Sequence, residues 1–409
     1  MKIPEELKKE LEIITQGTEE IIPEEEFVSK LLKSHKTKTP LRVKLGIDPS
    51  SPDIHLGHTI PIRKLEQFQK LGHQIVLIIG GFTARIGDPT GLSETRKQLS
   101  KEEVKKNAKT YLDQVFKILD KNKTEIVDNA DWFENMKFPE LISNLASKYT
   151  VARMLERDDF LNRYKNGKPI FIHEFLYALA QGYDSVIVKS DIEIGGTDQK
   201  FNCLVARDIQ REYGMEPQIV ITLPLLEGTD GIKKMSKSIG NYIGISESPK
   251  EIYGKTMSIP DELMYKYFLL ALGYDEKTVN NFKEKVKNEQ LHPRDLKAKL
   301  AFELVSLYHS PQEAKKAEEE FLRIFREKSL PDEQLEVVIN IEGNSIPVIK
   351  LLTNLDRVSS NSEARRLIQS GAISINNDKI DDINLNLSIG NYLIKVGKRH
   401  FYKVIVKGR

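Results

Sequence analysis

The sequence predicts an α/β fold built on a parallel sheet, followed by an all-helical stretch and a small α+β tail. Residues 43–80 carry the first observation: Val43, Leu45 and Ile47 alternate as a half-buried strand does, and Ile60, Ile62, Leu65, Phe68 and Leu71 then recur at helical spacing. Residues 74–80 follow as a continuous apolar run, the pattern of a strand covered on both faces. The second observation is that two further runs, residues 191–198 and 218–225, each leave through a glycine-containing turn or loop. The third is charge: residues 346–409 hold 11 Lys and Arg against 5 Asp and Glu, a net of +6 within a whole-chain charge of +2. A basic appendage on a mildly acidic body points to one polyanion-binding module.

At 409 residues the chain has room for two or three domains. The expected divisions are a catalytic-type α/β domain over 1–247, a helical domain over 248–330, a linker over 331–345 and the tail over 346–409. Cys203 is the one cysteine, which excludes an intrachain disulfide or a cysteine metal cluster, and its apolar helical surroundings read as core packing. No apolar run is long enough to span a bilayer. Residues 1–26 have 9 glutamates against 3 lysines, unlike a basic leader peptide, so the expectation is a soluble cytoplasmic protein with no bound metal.

In chain order, residues 1–40 read as a charged helical lead-in, with Leu7, Leu11 and Ile14 at helical spacing and Pro23 opening a second helix. The strand after it passes through Gly46-Ile47-Asp48-Pro49-Ser50-Ser51-Pro52-Asp53-Ile54 to His55-Leu56-Gly57-His58 at a helix start. Unpaired backbone N–H groups and the helix dipole make that position suited to a phosphate chain, and two imidazoles three positions apart add donors. Taken alone the tetrapeptide is equally compatible with metal ligands or surface groups. Residues 80–91 form the loop leaving the second strand; at the C-terminal ends of parallel strands it faces the same crevice, and Asp88 becomes a candidate for an ammonium group. Residues 101–121 form a long amphipathic helix, and residues 149–157 a short mixed insertion.

Residues 173–184 are apolar and helical, with Tyr177, Gln181 and Asp184 along one stripe and Gly182 near the end. Residues 185–189 read as a strand, and residues 191–198 as another that exits through Gly195-Gly196-Thr197-Asp198 into a helix over 199–213. Paired glycines permit backbone approach to a ribose, and the carboxylate after them suits sugar hydroxyls. Beyond the strand at 218–225, a glycine-rich loop over 228–240 carries Lys234-Met235-Ser236-Lys237-Ser238, where two lysines and two serines are suited to clamping a triphosphate. Residues 248–330 are helical, and 331–345, acidic and then Gly-Asn-Ser, read as the linker.

His55-Leu56-Gly57-His58 and Lys234 to Ser238 together resemble the paired motifs of class I aminoacyl-tRNA synthetases. With Gly195-Gly196-Thr197-Asp198-Gln199 and Tyr177-x-x-x-Gln181-x-Tyr183-Asp184, the stretch 43–242 resembles the tyrosyl-tRNA synthetases. The tail segment over 360–371, Ser-Asn-Ser-Glu-Ala-Arg-Arg-Leu-Ile-Gln-Ser-Gly, is similar to the S4 RNA-binding domain, completed by strands at 372–375 and 392–406. The resemblance implies a Rossmann-like catalytic domain, ATP with Mg²⁺, L-tyrosine and tRNA(Tyr) as substrates, and a homodimer formed through the insertion. By the same resemblance His55, His58, Lys234, Lys237 and Ser238 are catalytic. Asp48, Ser50, Gly57, Gly196, Asp198 and Ser236 complete the ATP site, and Thr83, Asp88, Tyr177, Gln181, Asp184 and Gln199 the tyrosine site, with Asp184 on the phenolic hydroxyl. Arg357, Arg365, Arg366, Lys398 and Arg399 are the implied RNA contacts. One departure is Lys44, where a large bacterial branch has a tyrosine that helps hold the phenol; another side chain or water must share that role.

Tryptophanyl-tRNA synthetases share fold and motifs but lack the S4-like tail and the Gln-x-Tyr-Asp element. A metabolic nucleotidyltransferase leaves the lysine motif and basic tail unexplained, and a non-catalytic RNA-binding paralogue leaves the intact motifs unexplained.

Overall fold

The computed structural model describes residues 4–88, 99–326, 335–376, 378–397 and 400–408. The chain forms two compact units, Met1–Pro311 and Gln312–Arg409. The first is organised on a six-stranded sheet made by β1 (Glu20–Ile22), β2 (Arg42–Ile47), β3 (Gln74–Ile79), β4 (Thr124–Asp128), β5 (Ile192–Gly196) and β6 (Ile219–Leu223), in the order β1-β6-β5-β2-β3-β4. All neighbours run parallel except β1, which is antiparallel to β6. From β2 the chain builds first outward through β3 and β4, then returns to the other side with β5 and β6. The order therefore reverses between β2 and β5, where Val43 pairs with Ile192 and Lys44 with Glu193. In a sheet of this kind the crevice for a ligand opens beyond the C-terminal ends of those two strands.

The expected strand–helix–strand over 43–80 is present as β2, the helix Leu56–Lys70 and β3. That helix is pinned from outside by Lys64, whose buried ammonium donates to the carbonyls of Ile14 at 2.9 Å and Gln16 at 2.7 Å, closing the end of the lead-in helix Glu5–Thr15. Residues 185–189, read as a strand, are instead the end of the helix Ile172–Ile187, so the sequence reading is corrected there. Both flanks of β2 are taken by β3 and β5, and Val186 and Ile187 have no ladder to join. The helix packs against Lys200–Glu212, and Gly182 is what lets them approach: a Cβ there would lie 3.0 Å from Ile209 and 3.3 Å from the Ala206 backbone. Two strands of this sheet were not anticipated. β1 is three residues long, too short for periodicity to register, and β4 is a half-buried edge strand that carries the charged Glu125 and Asp128.

The helices Pro249–Ser258, Leu263–Leu270, Glu276–Lys287 and Pro293–Tyr308 complete the first unit, and the division at 311/312 falls inside the stretch read as one helical domain. The second unit contains the helix Pro311–Arg326 from Gln312 onward, then β7 (Leu335–Ile341), β8 (Ser345–Pro347), β9 (Ile373–Ile375), β10 (Asp378–Lys379), β11 (Asn386–Ser388), β12 (Gly390–Val396) and β13 (His400–Gly408). Five of these form a sheet in the order β10-β9-β12-β13-β7, and the helix Asn361–Gln369 contributes Ala364 and Ile368 to its core. The segment read as one strand over 392–406 is a hairpin whose arms are β12 and β13.

The linker reading of 331–345 is overturned for its described part: β7 pairs in parallel with β13 over seven registered positions, and Ile339 and Ile341 are in the tail's core. Its alternation, Leu335, Val337, Ile339 and Ile341 against Glu336 and Asn340, was in the sequence, masked by the acidic and turn-forming residues around it. A chain ended at residue 345 keeps this apolar strand without its partner, whereas a chain ended at residue 334 does not. The chain ended at 345 is therefore expected to aggregate and the chain ended at 334 to elute as a single species, measured by size-exclusion chromatography.

Candidate active site

A cavity of about 370 Å³ opens at the C-terminal ends of β2 and β5. It is lined by Asp48, Ser50, His55, Gly57, His58, Thr83, Asp88, Tyr177, Gln181, Asp184, Gly196, Asp198, Gln199, Lys234 and Ser236, so residues spread over almost 190 positions of sequence meet in one place. Lys237 and Ser238 lie on the same loop outside the lining, with Ser236 Oγ and Ser238 Oγ 2.9 Å apart.

At one end the two imidazoles stack, ring centres 3.6 Å apart and 20° from parallel, His55 capping the helix Leu56–Lys70. Burial, and then its neighbours His58 and Lys237, push the His55 pKa down to about 2; burial with Lys237 and Lys234 brings His58 to about 4. Both rings are thus neutral near pH 7 and each supplies one N–H. The His55 backbone N–H donates to His58 Nδ1 at 3.3 Å, which leaves the proton of His58 on Nε2. His55 Nδ1 is buried without a protein partner, an orphan polar atom at a helix N-terminus.

The lysine loop is held by its middle. Met235 is buried, its backbone N–H donates to Leu226 O at 2.8 Å, and its Cβ is 3.7 Å from where a Gly57 side chain would begin. Asn241, which the sequence reading did not single out, accepts from the Ser236 N–H at 2.8 Å and donates to the carbonyls of Lys233 and Lys234, both at 3.2 Å. The lysines on either side of Met235 are then directed to opposite walls: Lys234 Nζ to Asp198 Oδ2 at 3.1 Å, and Lys237 Nζ to Ser51 Oγ at 3.2 Å and Asp53 Oδ2 at 3.3 Å. These pairs are partly exposed, so they hold the side chains weakly and an incoming polyanion can displace the carboxylates.

At the other end, Asp184 is buried and its pKa is raised to about 7, chiefly by burial; the Lys44 ammonium and donors from Asn129 and Trp132 oppose the rise. Trp132 Nε1 donates to Asp184 Oδ1 at 3.0 Å and Asn129 Nδ2 to Oδ2 at 3.2 Å. Neither residue was anticipated, though Trp132 is the one tryptophan of the chain. Asn129 also donates to Thr83 Oγ1 at 3.0 Å, Thr83 to Asp48 Oδ1 at 2.7 Å, and Tyr177 OH to Asp48 Oδ2 at 2.9 Å. Gly80 makes room for this: a Cβ there would fall 1.9 Å from Asp48 Oδ1. Asp48 thus joins Thr83 and Tyr177 at this end of the cavity.

Lys44 is committed within the protein. It is buried in an ion pair with Glu193 at 3.1 Å, and its ammonium also donates to Gln181 O at 3.1 Å and to Ser185 Oγ. Glu193 in turn accepts from Gln181 Nε2 at 2.9 Å and from Gln218 Nε2, so the Gln181 amide has its carbonyl oxygen left for a ligand. Among the described residues, no three or more His, Cys, Asp or Glu side chains are grouped to hold a metal ion.

A parallel sheet reversing at this crevice, a histidine pair at a helix start and a lysine loop across from it define a class I aminoacyl-tRNA synthetase catalytic domain. The family described as tRNA synthetases class I (W and Y) matches residues 36–326, and the tyrosine–tRNA ligase SYY-like C-terminal domain matches residues 333–404. The tyrosine–tRNA ligase of Carboxydothermus hydrogenoformans is 56% identical over 406 residues, covering 98% of each chain, and that of Thermotoga maritima is 52% identical, covering 97% of each. The crystal structure of the Archaeoglobus fulgidus tyrosyl-tRNA synthetase complexed with L-tyrosine aligns with a TM-score of 0.62 at 25% identity, over 76% of this chain and 99% of that one. The chain belongs to the tyrosine–tRNA ligase family.

The raised Asp184 carboxyl has a definite pH signature. An ionised carboxylate accepts a hydroxyl better than a protonated one, so binding at Asp184 of a hydroxyl-bearing ligand such as tyrosine, measured by calorimetry, is expected to tighten from about pH 6 to about pH 8, and Trp132→Phe, which removes a donor to the carboxylate, to shift that midpoint upward. In stability the sign is opposite: the folded chain holds this proton to higher pH than the unfolded one, so the destabilisation grows from about pH 4 and is complete above about pH 7. The melting temperature of Asp184→Asn relative to the parent is therefore expected to rise across that window.

Proposed function

We propose that this cavity activates L-tyrosine with ATP to tyrosyl-adenylate and pyrophosphate and then passes tyrosine to the terminal adenosine of tRNA(Tyr). The observation that carries the reading is that one cavity has neutral imidazole donors and two lysines at one end and a buried carboxylate, Asp184, at the other. Attack of a carboxylate on the α-phosphorus needs no base, because the nucleophile is already ionised; it needs in-line placement and donors aimed at the developing charge. His55 and His58 act on the phosphates from the helix N-terminus, and Lys234 and Lys237 on the departing pyrophosphate, with Ser236 and Ser238 supporting the loop. Gly196 and Asp198 hold the ribose, for which Lys234 must leave Asp198 and turn to phosphate. Asp48, Ser50 and Gly57 border the nucleotide, and ATP enters with Mg²⁺ on its phosphates.

Tyr177, Gln181 and Asp88 receive the ammonium of the amino acid, Gln181 through its carbonyl oxygen, with Thr83 and Gln199 beside them. Asp184 accepts the phenolic hydroxyl. A phenylalanine ring leaves that buried carboxylate without its partner, which is the physical basis of discrimination.

The homodimer reading is supported by exposed apolar side chains concentrated around the insertion, among them Phe138 (72%), Val151, Tyr164 and Ile172 (78%). The S4-like role of the tail is supported by the helix Asn361–Gln369, where Ser360 caps the Glu363 N–H at 3.2 Å and Arg365 and Arg366 are exposed, with Arg357 exposed nearby in sequence. Lys398 and Arg399 lie outside the described residues. No described helix is long and apolar enough to cross a membrane, and the cytoplasm, where tRNA is charged, is the compartment this reading implies.

Amino-acid-dependent ATP–pyrophosphate exchange, run with all twenty amino acids and without tRNA, is expected to respond to tyrosine alone; exchange with tryptophan, or none, overturns the pocket assignment. In the same assay Lys234→Ala or Lys237→Ala is expected to lower kcat by roughly 10²- to 10³-fold while leaving the KM for tyrosine nearly unchanged.

A further inference from the structure

A chain of hydrogen bonds leaves the amino-acid end of the cavity and reaches the residue that closes the insertion. Asp88 Oδ2 accepts from Gln199 Nε2 at 2.6 Å, Gln199 Oε1 accepts from Asn202 Nδ2 at 3.1 Å, and Asn202 Oδ1 accepts from Arg157 Nη1 at 3.1 Å. Neither Asn202 nor Arg157 lines the cavity, and both are buried, at 1% and 7% exposure. Arg157 is itself fixed by a two-pronged pair with Asp159, at 2.6 and 2.5 Å, and by the Phe160 ring 4.4 Å below its guanidinium.

The two ends of this chain differ in kind. A guanidinium only donates and a carboxylate only accepts, whereas a primary amide does both and, in isolation, faces either way. Two amides in series between such ends satisfy all three bonds in one direction alone: Asn202 turns its oxygen to Arg157, and Gln199 therefore turns its oxygen to Asn202 and its NH₂ to Asp88. We propose that Arg157 and Asn202 are positioning residues that set the direction of the Gln199 amide, so that it donates to Asp88 and holds that carboxylate in place for the ammonium of the amino acid. The inference rests on the reading of Asp88 and Gln199 as part of the tyrosine site.

Two substitutions at Asn202 separate direction from packing. Asn202→Asp is isosteric and keeps an acceptor on Arg157, but it turns a second acceptor toward Gln199. The Gln199 amide then reverses and sets its oxygen against Asp88. Asn202→Ala removes the director and leaves Gln199 able to keep its NH₂ on Asp88. In tyrosine-dependent pyrophosphate exchange, Asn202→Asp is expected to raise the KM for tyrosine roughly 10- to 100-fold and Asn202→Ala only a few-fold. The KM for ATP should be unchanged, and the melting temperature of Asn202→Asp should be at or above the parent's. A packing role alone gives the reverse order, because alanine opens a cavity and aspartate gains an ion pair with Arg157; that order, or an unchanged tyrosine KM in Asn202→Asp, overturns the proposal. Asp88→Ala distinguishes the two levels: an unchanged tyrosine KM there overturns the site reading, whereas a raised one beside a silent Asn202→Asp overturns only the director.

Discussion

The buried ion pair between Lys44 and Glu193 sits where the sheet reverses, and the Asp184 end of the cavity depends on it. It joins β2 to β5 at the register position beneath the crevice, and its remaining hydrogen-bonding capacity is used on the helix Ile172–Ile187 through Gln181 and Ser185, and on Gln218, the residue just before β6. Two desolvated charges are costly unless their other donors and acceptors are filled, and removing one partner of such a pair typically costs about 3–5 kcal/mol. Here they are filled by groups from the helix and by the Gln218 amide. The pair thereby fixes the helix that carries Tyr177, Gln181 and Asp184 against the strands that form the cavity floor, and its ammonium also moderates the rise in the Asp184 pKa.

The two ends of the cavity are built on different principles. At the histidine and lysine end the groups are neutral or loosely paired: imidazoles kept uncharged by burial, and lysines resting on carboxylates that a polyanion can replace. At the end around Asp184 nearly every polar atom is already committed to a neighbour, and a ligand is offered the few that are left. Preorganised donors serve a charge that develops during reaction, while saturated hydrogen bonding serves recognition, because an analogue lacking one group leaves a buried partner unsatisfied.

Much of this was legible in the sequence. The strand and helix around His55 and His58, the buried strands at 74–79 and 219–223 and the loop around Met235 announce themselves by periodicity, glycine placement and motif, and the cavity gathers every described residue named for it except Lys237 and Ser238, which flank it on the loop. Residues 185–187 were misread because β-branched residues were credited with a strand, although no vacant sheet edge exists there. The strand at 335–341 was misread because its alternation was outweighed by the character of its flanks. Asn129, Trp132, Asn241, Glu193 and Asn202 carry no local pattern; each matters through a partner distant in sequence or hidden by the fold.

The sequence by itself determined the fold class, the order of its βα units, the chemistry available to the site and the family, because periodicity and motif are local properties of the chain. Only the tertiary structure decided that Lys44 pairs with Glu193, that both histidines are neutral, that Asp184 titrates near neutrality, and which way the Gln199 amide faces. Those are properties of burial and of hydrogen-bond partners, which the chain acquires when distant segments are brought together and water is excluded.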